Sequence, residues 1–191
     1  MTTFDYLTRV FIDSLSRFEN AHEKAFLGVA TCSVVEFLGR CIRNQGCHTD
    51  GYKDFLQFIN DYLSKKDRRY KDYGHILYKD LRHGSAHSVL PKGGVVLSFD
   101  SSSSHLHLSL VRDKNSKNYY VWIYSPKLLN DLKDSIFKFV EDARQNKVLE
   151  NNYIQILRYL HLEGQNILRK NLSKKNFDSA IEEDIKGDIA V

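Results

Sequence analysis

The chain has 191 residues, 42% of them hydrophobic and 27% charged, which is the balance of one soluble globular domain and too short for two ordinary ones with a linker. Two prolines and ten glycines exclude collagen-like and low-complexity readings, and three cysteines (Cys32, Cys41, Cys47) cannot form a fully paired disulfide framework. The formal net charge of +4 is uneven: residues 176–191 carry five acids against Lys186, so residues 1–175 hold +8 and attract polyanions.

Residues 1–10 contain one base and no apolar run of signal-peptide length. The most apolar stretch, residues 25–38, is broken by Thr31, Ser33 and Glu36 and falls short of a bilayer span. Together these features predict a reduced, cytoplasmic setting without membrane insertion.

In chain order, Phe4, Leu7, Phe11, Leu15 and Phe18 recur at helical spacing and predict a first helix. A second begins near His22 with a broad stripe of Phe26, Ala30, Val34, Phe37, Leu38 and Cys41, widened by Val29 and Ile42. That breadth predicts a central helix packed on several neighbours. Gly46, after Asn44-Gln45, is the expected left-handed cap. A third helix is predicted over residues 51–63, on Tyr52, Phe55, Leu56, Ile59, Tyr62 and Leu63. A basic stretch, residues 65–71, then leads into a fourth with Tyr73, Leu77 and Leu81 in register, which runs to Leu90 before Pro91 stops it.

From Val95 the period changes to two. Residues 95–99, 105–111 and 119–124 predict three short antiparallel strands in a meander, separated by the turn residues of 100–103 and 113–118. Ser125 and Pro126 open the next helix as N-cap and first-turn residue, with Leu129, Leu132, Ile136, Phe139, Val140 and Ala143 on its buried face. A last helix covers residues 152–172 on Tyr153, Ile156, Leu157, Leu160 and Leu168. The expected class is mainly α (α+β): one helical-bundle domain over residues 1–172 with a small β-meander at about 95–124, then an acidic, flexible tail over 173–191.

Phosphate loops, dinucleotide fingerprints and nucleophile elbows are missing from the sequence. Cys41, Cys47 and His48 lack the paired spacing of a zinc site, and no metal or cofactor is expected. His105 and His107 alternate on one strand face and read as polar surface. Asp131 and Asp134 read as the solvated side of a helix. The remaining feature is Leu81-Arg82-His83-Gly84-Ser85-Ala86-His87. An arginine followed by four to six residues and then a histidine is a permissive pattern, with about 1.4 matches expected by chance in this composition. Five occur: Arg17/His22, Arg43/His48, Arg68/His75, Arg69/His75 and Arg82/His87. Only Arg82/His87 lies inside one continuous apolar-periodic segment. There the three smallest side chains, Gly84, Ser85 and Ala86, separate His83 from His87, at about 1 kcal/mol of helix propensity for the glycine. The same small residues suit a close helix–helix approach within one chain, or a dimer contact.

The segment from Leu77 to His87, late in a run of helices, resembles the signature of the HEPN superfamily: an arginine, a polar residue directly after it, and a histidine after a short gap. Arg82, His83 and His87 stand in those three places, and the helical pattern over residues 21–90 is similar to the family core; the strands are an addition to it. The resemblance implies a homodimeric, metal-independent endoribonuclease of toxin–antitoxin or defence systems, with an antitoxin or regulatory protein as a further partner. Arg82 and His87 would be catalytic and His83 supporting. The alternative it implies is an inactive dimeric module that binds RNA or a nucleotide. A 2′-hydroxyl attack on the adjacent phosphorus needs a proton acceptor near neutral pH and a permanent cation for the developing charge, which are the properties of imidazole and guanidinium. Lys65, Lys66, Arg68, Arg69 and Lys71 are the expected RNA-binding cations. A third reading has the acidic tail dock on a basic partner or on the chain's own groove.

Overall fold

The apolar periodicity before residue 82 is helical in the computed structural model, which describes residues 4, 8–20, 24–44, 50–82 and 93–171. A π-helical stretch, Thr8–Asp13, leads into α1, Ser14–Asn20. The central helix α2, Lys24–Arg43, buries Leu27, Cys32, Val34, Val35, Leu38 and Cys41. It ends on Asn44, whose φ of 49° supplies the left-handed residue expected of Gly46; Gly46 lies outside the described residues. Asparagine tolerates this conformation because its short polar side chain bonds locally.

Helix α3, Gly51–Asp61, is capped by Asp50, whose Oδ1 accepts from the Lys53 amide at 3.2 Å. It crosses α2 closely because Gly39 has no side chain: a Cβ there would stand 1.8 Å from the Asp54 carbonyl oxygen. A 3₁₀ turn, Leu63–Lys65, joins it to α4, Arg69–Ile76, which continues as a π-helical segment, Leu77–Arg82. The expected continuation to Leu90 falls on residues 83–92, outside the described residues.

Beyond the gap, the three strands are β1 (Val95–Ser98), β2 (Ser109–Arg112) and β3 (Tyr119–Tyr124), and they do not form the expected meander. The order is β1-β3-β2, with β1 parallel to β3 and β2 antiparallel to it, so the sheet is mixed. The cause lies in residues 99–108. Asp100 caps a 3₁₀ helix, Ser101–Leu106, by accepting from the Ser102 amide, and this detour carries the chain past the place beside β1 that β3 later takes. Parallel pairing requires such a crossover, whereas a hairpin turn imposes antiparallel pairing.

Helices α5, Ser125–Gln145, and α6, Lys147–Asn171, complete the fold. Ser125 is the first helical residue rather than the cap: Tyr124 takes the cap position, and the buried Ser125 Oγ makes no hydrogen bond among the described residues. All six apolar residues expected on the buried face of α5 are buried. Phe58, Phe139 and Tyr153 are fully enclosed where α3, α5 and α6 face the core, each aromatic contributing about 2 kcal/mol or more through burial. Asn152 donates to the Cys41 carbonyl at 3.1 Å and ties α6 to the end of α2. No described helix is long and apolar enough to cross a membrane.

Gly39→Ala is expected to force α2 from α3, lowering stability by about 3 kcal/mol or more. The urea midpoint measures this, and an unchanged midpoint would contradict the close crossing.

Candidate functional site

Arg82 closes the π-helical segment and turns its guanidinium onto α2. Its Nε donates to Glu36 Oε1 at 2.7 Å and its Nη2 to Oε2 at 3.2 Å, a forked pair with planar groups matched on both sides. The arginine side chain remains 33% exposed and that of the glutamate 15%. The hydrogen bond to Glu36 raises the Arg82 pKa further, so the cation is permanent. Beneath the pair, burial pushes the Cys32 thiol up, with the Glu36 charge adding to the effect. That thiol is a packing group and not a nucleophile.

Neighbouring side chains hold the fork in place. Gly51, the first residue of α3, leaves room for it: a Cβ there would lie 3.1 Å from both Glu36 Oε1 and the Tyr78 hydroxyl. The Tyr78 phenol is raised, chiefly by burial and then by Glu36, and keeps its proton at neutral pH. Its ring packs on Phe55 with centroids 5.4 Å apart. Two residues before Arg82, Asp80 approaches Gly94, so the strand entering the sheet is drawn against the same segment.

His83 and His87 lie outside the described residues, at the first and fifth positions after Arg82. The basic run stands elsewhere. Arg69 and Arg82 occupy opposite ends of the α4 run, roughly 20 Å apart at helical rise. Lys66 pairs with Asp134 at 2.8 Å, and Arg69 forks onto Asp67 while donating to the Leu108 carbonyl at 3.4 Å. Lys65 lies over the Tyr62 ring at 5.7 Å, and Arg68 and Lys71 are exposed. Within one chain, then, these five cations are not gathered around Arg82, and two of them are engaged by carboxylates.

Sequence reasoning missed Glu36, which looked like an interruption of an apolar stripe. It also misread His107 and Asp131, and both are buried. His107 follows the 3₁₀ helix instead of standing in a strand, and Leu108 at φ 53° turns it inward. The Tyr124 amide donates to its Nδ1 at 3.2 Å, which leaves Nε2 as the protonated nitrogen facing the Tyr70 hydroxyl at 3.1 Å. Tyr70 in turn donates to Asp131 Oδ2 at 3.0 Å, and Lys127 pairs with Oδ1. This relay fastens the sheet to α4 and α5. Among the described residues no group of three His, Cys, Asp or Glu side chains is placed to hold a metal ion.

Burial lowers the His107 pKa to about 4, against the weaker opposing pull of Asp131. Between pH 6.5 and 4 the unfolded chain therefore binds a proton that the folded chain refuses. The stability contributed by neutral His107 is complete above about pH 6.5 and is lost as pH falls towards 4. Unfolding free energies from urea titrations across that range are expected to fall with a slope approaching about 1.4 kcal/mol per pH unit from this group. His107→Gln is expected to flatten the slope; an identical slope in both proteins would contradict the assignment.

No family model, curated protein or solved structure matches this chain.

Proposed function

We propose that the chain is a homodimeric, metal-independent endoribonuclease of HEPN type, acting in the reducing cytoplasm. The observation that carries this reading is the Arg82 fork: a permanent cation, oriented by Glu36 and one-third exposed, one residue before His83 and five before His87. An arginine clamped in this way offers donors to a phosphate oxygen without first losing the rotamer freedom of a long side chain.

In the reaction, the 2′-oxygen bonds to phosphorus as the bond to the 5′-oxygen breaks. One His87 imidazole takes the 2′-hydroxyl proton and a protonated imidazole, that of the second protomer, returns one to the leaving 5′-oxygen. The products are a 2′,3′-cyclic phosphate and a 5′-hydroxyl. Arg82 stabilises the negative charge on the phosphorane, and His83 orients the phosphate. Dimerisation brings two such pairs to one cleft, and the net positive body attracts the RNA backbone. An antitoxin or regulatory protein that covers the cleft is the partner this reading adds.

Purified protein in EDTA is expected to cut single-stranded RNA to 2′,3′-cyclic ends and leave DNA intact. Arg82→Ala and His87→Ala are each expected to lose at least about 100-fold in rate while the circular-dichroism spectrum is kept. Undiminished cutting by these variants would remove the assignment. RNA retained by the wild type without turnover would replace the enzyme with a binding module.

A further inference from the structure

Beside the fork lies a cavity that the reaction above does not use. Tyr52, His75, Tyr78 and Lys79 line a volume of about 310 Å³. This is the low end of the range for ligand pockets, a size suited to one flat ring system rather than an extended molecule. The Tyr52 and Tyr78 rings meet at 5.2 Å with an interplanar angle of 61°, and Phe55 backs Tyr78 from the core side. Tyr52 is 41% exposed, although it belongs to the stripe that α3 otherwise turns inward. His75 and Lys79 are exposed at the rim.

Chemistry and position together narrow the ligand. Aromatic walls take a planar ring by stacking, and a cationic rim takes an anionic backbone; this combination holds unpaired bases of a single strand with little sequence preference. Paired bases are buried in their own stack and do not enter such a pocket. Tyr78 is a wall of the cavity, and its hydroxyl and Glu36 Oε1 flank the same point over Gly51, so the cavity borders the fork. Lys79 and Arg82 are less than one turn apart on the same run, about the reach from a base to its own phosphate.

We infer that this cavity is a stacking subsite for one unpaired base of an RNA single strand, with Tyr52 as its platform and Lys79 and His75 on the adjoining phosphate. The inference rests on the ribonuclease reading and adds how the strand is held, by a free base next to the bond that is cut.

A fluorescent ten-nucleotide 2′-O-methyl RNA, which lacks the attacking hydroxyl, reports binding without cleavage. By fluorescence anisotropy, Tyr52→Ala is expected to weaken its affinity at least about tenfold and Tyr52→Phe to preserve it. The same strand paired into a duplex is expected to bind more weakly than the single strand. Unchanged affinity in Tyr52→Ala, no binding by the wild type, or equal affinity for strand and duplex would each overturn the subsite. The two readings fail separately. Tyr52-dependent binding in a protein that never cuts unmodified RNA sinks the ribonuclease and supports the subsite. A wild type that cuts RNA, with Tyr52→Ala binding and cutting equally well, sinks the subsite alone.

Discussion

The forked ion pair between Arg82 and Glu36 is the contact on which the arrangement around residues 77–82 depends. It joins the central helix to the π-helical end of α4, two elements far apart in sequence. Removing either partner would leave the other charge in a half-enclosed site, a larger penalty than an exposed pair carries and a smaller one than a fully buried pair. Two omitted side chains make the fork possible. Gly39 lets α3 lie against α2, and Gly51 clears the space in which the glutamate and the Tyr78 hydroxyl meet. The π geometry fits the same picture, since widened turns recur where a side chain must be re-aimed for function.

A second polar network holds the other end of the same run. His107, Tyr70, Asp131 and Lys127 connect the turn before β2 with α4 and α5, and every buried member reaches at least one partner. A satisfied network of this kind fixes one packing among several of similar apolar area. The basic run belongs partly to this scaffold. Lys66 and Arg69 serve as ties to Asp134 and Asp67, so charge counted along the sequence overstates what one protomer presents at Arg82.

Much of the helical architecture was legible in the sequence because it depends on periodicity. The stripe on α5 emerged intact; that of α2 buries Val34, Leu38 and Cys41 and leaves Val29, Ala30, Phe37 and Ile42 partly buried. The sheet order was not legible. Alternating residues mark strands, yet nothing local distinguishes a meander from a crossover when the deciding element is a single 3₁₀ turn capped by Asp100. His107 and Asp131 were misread for a related reason: a buried polar residue on a strand-like or helical segment has the same local pattern as an exposed one until its partners, here Tyr70 and Tyr124, are known. Arg82 could be singled out from sequence because its surroundings are apolar-periodic. Glu36, 46 residues earlier, carried no comparable signal.

In the proposed reaction Glu36 holds the cation and Arg82 meets the phosphate, so exchanging the two charges separates structure from chemistry. The direct measurement is the thermal midpoint and the RNA-cleavage rate of the paired exchange Glu36→Arg with Arg82→Glu, beside each single substitution. The exchange is expected to regain most of the midpoint lost by the single variants while cleavage stays absent, since a carboxylate at position 82 repels the phosphorane. Cleavage by the exchanged protein, or a midpoint no higher than those of the single variants, would contradict this.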